Sequence, residues 1–274
     1  MGKILVDSDI PDAMKAEVIM EEVLGLARPE YTLRKYCRVI NFGDKITGKV
    51  PIGTALAGQE KVKPLVEAEV AAESYVEVDF NLWKNVIHVL MPKEVELKSI
   101  QGLMKMHVQD GAKDLARMEN KQIAEEIQNF TGVPASVTWD NTAGGDPIED
   151  IAGVQNAIIN LGYKPKYIVM DTDVYRYFAV NDQVRAVYER GATVKTGRIP
   201  SVIGLTIDVE VELEDKTCWV VDDKGPAIAL ADGPMLVERY KKAAVFADGY
   251  VSAQFLEPKL VIDDAARRIT SCIP

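Results

Sequence analysis

Cysteine and histidine are scarce in this chain of 274 residues, which contains three cysteines and two histidines. Cys37, Cys218 and Cys272 are odd in number and lack the spacing of metal ligands, so the sequence indicates buried or incidental thiols of a reducing compartment and no disulfide framework. His88 and His107 have no second histidine or cysteine three or four positions later, so no zinc motif is present. We therefore predict neither a metal site nor a cofactor.

Basic residues and long apolar runs are also in short supply. The 42 acidic residues outnumber the 32 lysines and arginines, which gives a net charge of −10 at pH 7. Proteins that coat DNA or an anionic membrane concentrate lysine and arginine, so this balance argues against both functions. Residues 1–30 contain no signal-peptide core, and no apolar stretch approaches the roughly eighteen residues of a membrane span. We expect a soluble intracellular protein with no membrane partner.

Recognisable catalytic motifs are lacking as well. Residues 43–49 have the spacing of a phosphate-binding loop, but Val50 replaces the Ser or Thr that binds Mg²⁺, and Pro51 follows it. We interpret these residues as a flexible hairpin loop. The sequence contains no nucleophile elbow and no dinucleotide-binding fingerprint. It therefore predicts a structural protein rather than an enzyme, and the alternative, an enzyme with an acidic pocket, requires a concave site with strongly shifted titratable groups.

The most informative feature present is a long amphipathic helix, predicted from Pro92 to Phe130. Its apolar residues recur every three to five positions and form one stripe. The stripe consists of Val95, Ile100, Leu103, Met104, Val108, Ala112, Leu115, Met118, Ile123, Ile127 and Phe130, and the opposite face includes Lys113, Asp114, Arg117, Glu119 and Lys121. A helix of about thirty-five residues spans roughly 50 Å. This length indicates a coiled coil, a bundle, or the spine of a flat, extended subunit.

A projecting hairpin is predicted before this helix. Residues 10–27 form a short arm helix by their apolar spacing, and from Tyr36 the period changes to two. Turns are predicted at Gly43–Asp44 and at Thr47–Gly48. The hairpin tip, residues 43–58, is rich in glycine and lysine and poor in large apolar side chains. We therefore expect the tip to project from its own subunit.

Residues after the long helix predict a mixture of helices and strands. Asp146 has the character of an N-cap, with Pro147 in the first turn of a helix that continues to Leu161. A short strand over 167–170 follows, and most of the chain from Val202 onward alternates as strands do. The fold class is therefore α+β.

The order of arm, hairpin, long helix, helix-rich centre and returning strands resembles the major capsid protein of tailed bacteriophages and head-tailed archaeal viruses, which has the Hong Kong 97 fold. Short motifs carry the resemblance. They are residues 73–80 followed by Met-Pro-Lys-Glu at 91–94, residues 150–161, Lys-Pro-Lys-Tyr-Ile-Val-Met at 164–170, residues 197–209, Val-Glu-Arg at 237–239, Gly-Tyr at 249–250, and residues 258–265.

The resemblance implies a division of the chain into five segments. They are an N-terminal arm (1–35), an extended loop (36–75), a peripheral domain with the spine helix (76–135), an axial domain (136–240) and the return strands of the peripheral domain (241–274). Many family members carry a scaffolding segment before the arm. Because the chain begins at Met1 with nothing comparable, we expect a separate scaffold or none.

The resemblance also implies a function. We expect a viral major capsid protein that assembles with itself, as pentamers and in larger shells also hexamers, into an icosahedral shell around double-stranded DNA, without sequence specificity. Portal and scaffolding proteins are expected partners, and the expected location is the virion, assembled in the host cytoplasm. The alternative is an encapsulin-type nanocompartment shell, which shares the fold and encloses a cargo enzyme.

Two groups of candidate functional residues follow from these expectations. Candidates for contacts between subunits lie in the extended loop and are Gly43, Lys45, Gly48, Lys49 and Gly53. The lysine–asparagine cross-link of some family members is not carried over, because no matching asparagine or glutamate is found. Candidates for weak phosphate contacts on the inner face are Arg34, Lys35 and Arg38, whose alternative role is ion pairing.

Overall fold

In a computed structural model, the chain forms two main β-sheets, one of four strands and one of six. The structure describes residues 32–53, 75–94, 103–140, 144–188, 199–213, 216–223 and 227–274. The helices are α1 (Leu103–Ile127), α2 (Pro147–Asn160), α3 (Thr172–Val180) and α4 (Asp182–Tyr188), with 3-10 turns at Leu33–Tyr36, Ala243–Val245 and Asp263–Ala265. The strands are β1 (Arg38–Asn41), β2 (Thr47–Gly53), β3 (Tyr75–Asn81), β4 (Trp83–Pro92), β5 (Gly132–Pro134), β6 (Pro165–Asp171), β7 (Ser201–Val202), β8 (Leu205–Glu210), β9 (Cys218–Asp222), β10 (Ile228–Lys242), β11 (Ala247–Leu260) and β12 (Ala266–Thr270).

The four-stranded sheet has the order β1-β10-β11-β4, and α1 packs on one of its faces. Alternate residues of a strand point to opposite faces of a sheet. Ile87 and Val89 of β4 accordingly pack toward α1 together with Tyr250 of β11, whereas Val86 and Leu90 are exposed. The outer face of this sheet therefore carries exposed apolar side chains.

The helix α1 approaches this sheet closely at Gly111. A Cβ atom added at Gly111 would lie 2.8 Å from the Tyr250 hydroxyl. That hydroxyl donates a hydrogen bond to the main-chain oxygen of His107 over 2.9 Å. The missing side chain thus makes room for the tyrosine, which in turn ties the helix to the sheet.

The amphipathic pattern of the predicted long helix is confirmed over Leu103–Ile127. Val108, Leu115 and Ile123 of the predicted stripe are buried, but Met118 is exposed. Glu119, predicted on the solvent face, is fully buried, so that prediction is wrong. The ends of the helix differ from the prediction. Pro92 is the last residue of β4, residues 93 and 94 are helical, and residues 95–102 lie outside the described residues. Phe130 is buried beyond the end of α1.

The six-stranded sheet has the order β5-β12-β9-β6-β8-β7 and is buried on both faces at its centre. Ile168 and Met170 of β6 pack with α2, α3 and α4 on one side. Val169 points to the other side, where it meets Trp219, the Leu33–Tyr36 turn and the end of α1. A strand that is buried on both faces is apolar at successive positions, as β6 is at Ile168, Val169 and Met170.

The helix α2 begins as predicted. The Asp146 carboxylate accepts hydrogen bonds from the main-chain N–H groups of Ile148 and Glu149 over 2.9 and 3.2 Å, and Pro147 occupies the first turn. These bonds satisfy two of the donors left unpaired at a helix start. The N-cap prediction is confirmed, and α2 is held against the six-stranded sheet.

The predicted segment boundaries are not tested by the sheets alone and stay predictions. The boundary between residues 240 and 241 lies inside β10, which pairs along its length with β11. β12, assigned to the return strands, belongs to the six-stranded sheet and pairs with β9 and β5. The predicted arm helix over residues 10–27 lies outside the described residues.

The three cysteines and the two histidines lie in the described part of the chain. Cys37, Cys218 and Cys272 are buried free thiols. His88 lies on β4 and His107 in α1. Within the described ranges, no cluster of His, Cys, Asp or Glu has the form of a metal site, and no helix is long and apolar enough to cross a membrane.

Candidate assembly surfaces

A turn fixed by Asn41 and Phe42 starts the hairpin of β2 and β3. The Asn41 side-chain oxygen accepts a hydrogen bond from the Gly43 N–H over 2.7 Å, and the Phe42 N–H donates to the Asp232 carbonyl over 2.8 Å. Gly43 has a φ of 58°, in the left-handed region that glycine adopts without strain. The first predicted turn is confirmed, and it joins the hairpin to β10.

The second predicted turn, at Thr47–Gly48, is wrong, because both residues lie in β2. A Cβ atom added at Gly48 would lie 2.6 Å from the Phe42 ring, so the glycine accommodates that ring. Phe42 in turn meets Phe80 of β3 edge-on, with ring centroids 5.8 Å apart. These rings join an apolar cluster that anchors the base of the hairpin in its own subunit.

The loop residues predicted at a projecting tip therefore divide into two groups. Residues 43–53 form the first turn and the strand β2, which pairs with β3 from Thr47 to Gly53. Residues 54–58 lie outside the described residues. The prediction of a tip that starts at residue 43 is wrong, because the alternation of Val50 and Ile52 continues a strand that the glycine-based turn prediction interrupted.

The two loop lysines differ in their surroundings. Lys45 is exposed in the first turn. Lys49 lies on β2, and its Nζ is 3.3 Å from carboxylate oxygens of both Glu77 and Asp79. Hydrogen bonds to Glu77 and Asp79 raise the pKa of Lys49. Since Lys49 stands in a strand and not before a helix, these residues lack the geometry of a phosphate-binding loop, as predicted.

Arg34 forms the most buried ion-pair cluster of the described chain. Its Nη1 lies 3.1 Å from Oε2 of Glu119 in α1, and its Nη2 contacts the Asp232 carboxylate of β10. The Gln254 amide of β11 donates to the same Glu119 oxygen over 2.9 Å. The cluster joins the Leu33–Tyr36 turn to the spine helix and to two strands.

Burial sets the chemistry of this cluster. Removal of Glu119 from water raises the pKa of its carboxyl group to about 7, although the Arg34 guanidinium and the Gln254 amide both favour the charged form. Burial also raises the pKa of the neighbouring Cys37 thiol. Arg34 is thus bound to carboxylates of its own subunit in this structure.

The other two basic candidates, Lys35 and Arg38, differ in their contacts. Lys35 Nζ is 3.1 Å from the Asp208 carboxylate, which also accepts a hydrogen bond from the Tyr36 hydroxyl. Burial, followed by the contact with Asp208, raises the pKa of Tyr36. Arg38 is exposed on β1. The phosphate contacts of all three residues stay a prediction.

Two grooves border β8, with volumes of about 450 and 400 Å³. They share Thr32, Val209 and Glu210, and burial raises the pKa of Glu210. Arg117 and Glu212, which line the larger groove, form an ion pair of 2.6 Å. The pKa of the Glu119 carboxyl group is raised to about 7, but Glu119 is not among the described residues that line these grooves.

Sequence reasoning missed the Glu119 cluster. Glu119 stands four residues after Leu115 and four before Ile123, so helical spacing places it on the buried side of α1. Its partners had no such signal, because Arg34 and Asp232 are distant in sequence. Asp232 precedes Gly-Pro, a pattern typical of turns. Only the folded arrangement brings these three side chains together.

Comparison with solved structures identifies chains of similar fold. A chain of Mycobacterium phage Che8 matches with a TM-score of 0.66 and 16% identity, over 84% of this chain and 86% of that chain. The capsid of an empty GTA particle, computed with C5 symmetry, matches with a TM-score of 0.70 and 12% identity, over 88% and 90%. A virus-like particle from Pyrococcus furiosus matches with a TM-score of 0.64 and 10% identity, over 93% and 99%.

These matches establish the fold. The chain has the Hong Kong 97-type fold of phage capsid proteins, as the resemblance in its sequence implied. No family model matches the sequence, and no curated protein matches it. The likeness therefore lies in the shape of the chain, and the function is inferred from that shape together with the surfaces described above.

Proposed function

We propose that this protein is a viral major capsid protein that assembles with itself into a closed icosahedral shell around double-stranded DNA. The observation that carries the proposal is the capsid fold, which extends over more than four fifths of the chain in all three comparisons. Pentamers are the expected ring, with hexamers in a larger shell. Closed shells need repeated contacts between different surfaces of identical copies.

The hairpin of β2 and β3 supports this proposal. Its base is anchored by Phe42 and Phe80, whereas Val76 and Lys49 of its strands are exposed. An element that is held at its base and exposed along its strands gains apolar burial when it meets a neighbour. We assign Gly43, Lys45, Gly48, Lys49 and Gly53 to the segment that sets the position of this hairpin in the shell.

The inner surface is proposed to hold DNA without sequence-specific contacts. Arg34 and Lys35 are bound to carboxylates of the same subunit. Arg38 is therefore the best placed of the three to meet phosphate groups. Portal and scaffolding proteins are the proposed partners, the virion is the proposed location, and the host cytoplasm is the proposed place of assembly.

The second candidate is the shell of an encapsulin-type nanocompartment that encloses a cargo enzyme. The specific observation in its favour is the match to the virus-like particle from Pyrococcus furiosus, which covers 93% of this chain and 99% of that chain. Neighbouring genes separate the two functions. Terminase, portal and protease genes support a virus, whereas an adjacent peroxidase or ferritin-like gene supports a compartment.

Electron microscopy tests the shell directly. The full chain, expressed alone and with a scaffolding protein if its gene neighbours encode one, should form hollow particles of uniform diameter. Nuclease-protected duplex DNA in particles from infected cells is expected of a capsid, and a single enriched cargo protein in the particles is expected of a compartment. A protein that stays monomeric under all these conditions contradicts both.

A further inference from the structure

The tip of the β10–β11 hairpin is the most unusual exposed segment of the described chain. Residues 241–246 are all exposed, whereas residues 247–250 are buried. The tip is formed by the 3-10 turn Ala243–Val245 and ends at Phe246, which has a φ of 44°. A short apolar turn thus projects from the end of two long strands.

Phe246 occupies a position that favours glycine. The residue that ends a helical turn in the left-handed region is usually glycine or asparagine, because a Cβ atom strains this conformation. The conformation is imposed from both sides: the Phe246 N–H donates to the Ala243 carbonyl over 3.3 Å, and the Phe246 carbonyl accepts from the Lys93 N–H over 2.8 Å. The backbone therefore gives no reason for an aromatic residue here.

The packing of the subunit gives no such reason either. Phe246 is 75% exposed and Val245 is 52% exposed, and neither belongs to an apolar cluster of the described residues. A bulky residue that is strained, held rigidly and exposed is a candidate for recognition outside its own chain. Aromatic side chains, phenylalanine included, are enriched in the buried cores of protein–protein interfaces.

The charge around the tip selects the partner. Lys241 and Lys242 give residues 241–246 a net charge of +2, whereas the whole chain carries −10. A basic segment on an acidic chain is electrostatically complementary to the rest of a second copy. Duplex DNA also attracts lysine, but it is repelled by the remainder of so acidic a chain.

We propose that the Val245–Phe246 tip is an intersubunit contact, in which the aromatic ring and its flanking lysines dock on an acidic surface of a second copy of this chain. The inference rests on the proposed shell function, because it names a contact that such a shell would use. The backbone strain at Phe246 is then tolerated because the ring is buried on assembly.

The substitution Phe246→Gly tests the effect of the ring on self-association separately from its effect on folding. Phe246→Gly removes the ring and relieves the strain, so the free subunit should melt at the same or a higher temperature while its self-association weakens by about tenfold or more. Phe246→Asn, whose side chain tolerates the left-handed region, should behave alike. Ser271→Gly is the matched control, because Ser271 is exposed, polar and has a φ of 59°; it should leave self-association unchanged.

Sedimentation velocity over a concentration series measures self-association of the full chain, and electron microscopy scores closed shells separately. Unchanged association of both Phe246 variants beside shells of the wild type overturns the tip contact and leaves the shell function standing. Wild-type rings that never close, with about tenfold weaker association of Phe246→Gly, support the tip and contradict the shell. A wild type that stays monomeric overturns both the tip contact and the shell. If the Phe246 variants lose duplex binding but keep self-association, the tip is a nucleic-acid site and the proposal is overturned.

Discussion

At the scale of single residues, the buried carboxyl group of Glu119 has the strongest consequence for solution behaviour. It faces the guanidinium of Arg34, the carboxylate of Asp232, the thiol of Cys37 and the amide of Gln254. Burial of a charge costs more than a single ion pair returns, which is why the pKa of Glu119 rises despite Arg34. The pKa of the Glu119 carboxyl group therefore lies at about 7.

Stability should depend on pH through Glu119. Since its pKa of about 7 in the folded chain lies above the ordinary 4.5, the folded chain binds more protons than the unfolded chain between these values. Its stabilising contribution is fully present below about pH 4.5 and is lost as the pH rises through 7. Glu119→Gln removes this titration. The free energy of unfolding of the variant, relative to that of the wild type, should therefore increase between about pH 5 and 8, by at most about 3 kcal/mol.

Urea denaturation of the unassembled subunit at several pH values measures this gain. Glu125→Gln is the control, because Glu125 is exposed on the same helix and its substitution should shift stability little at any pH. A difference between Glu119→Gln and the wild type that stays constant with pH would show that the buried carboxyl group titrates elsewhere.

At the scale of elements, local patterns predicted the helices and failed where a residue distant in sequence sets the structure. The stripe of α1 and the N-cap Asp146 follow local rules of spacing and capping, so they were predictable. The turn at Thr47–Gly48 was wrong because Gly48 is selected by the Phe42 ring and not by a turn. The pairing of β1 with β10 joins segments far apart in sequence, which no local pattern encodes.

The hairpin can be shortened without loss of its base. Gly53 pairs with Tyr75, so a two-residue Asn-Gly turn in place of residues 54–74 should close the hairpin. We expect this variant to keep the cooperative melting of the subunit, because Phe42 and Phe80 still pack, and to lose assembly. Differential scanning calorimetry and electron microscopy measure the two properties.

Phe80→Ala is the control for the hairpin variant, because it empties a buried site in the same element and should cost about 3–5 kcal/mol of stability. Loss of cooperative melting in the shortened chain would place residues 54–74 in the core of the subunit. Normal shells from the shortened chain would contradict the role of the hairpin in assembly.

At the scale of the whole molecule, net charge governs what the shell can enclose. Each subunit carries −10, and at about 0.15 M salt the Debye length of roughly 8 Å limits repulsion to near contacts. The ion pairs of Arg34 and Lys35 remove part of the local positive charge near the start of the described chain. In the proposed shell, such a subunit would surround DNA without binding it tightly.

Duplex binding by the isolated subunit should accordingly be weak. We expect a dissociation constant above the micromolar range at about 0.15 M salt, with a shallow dependence on salt, because the net charge of −10 repels the duplex. Fluorescence anisotropy of a labelled duplex across a salt series measures both quantities. Sub-micromolar binding with a steep salt slope would make this a nucleic-acid-binding protein; Arg38→Ala, beside an exposed-lysine control such as Lys45→Ala, would then locate the contact.

The pairing of β1 with β10 and of β5 with β12 also sets the order of events during synthesis. A ribosome adds roughly 5–20 residues per second, so the early strands wait for many seconds before their partners emerge. Folding that depends on such distant contacts is slow, because loop-closure entropy is lost before the contacts form. The nascent chain therefore completes neither main sheet until β11 and β12 have been made.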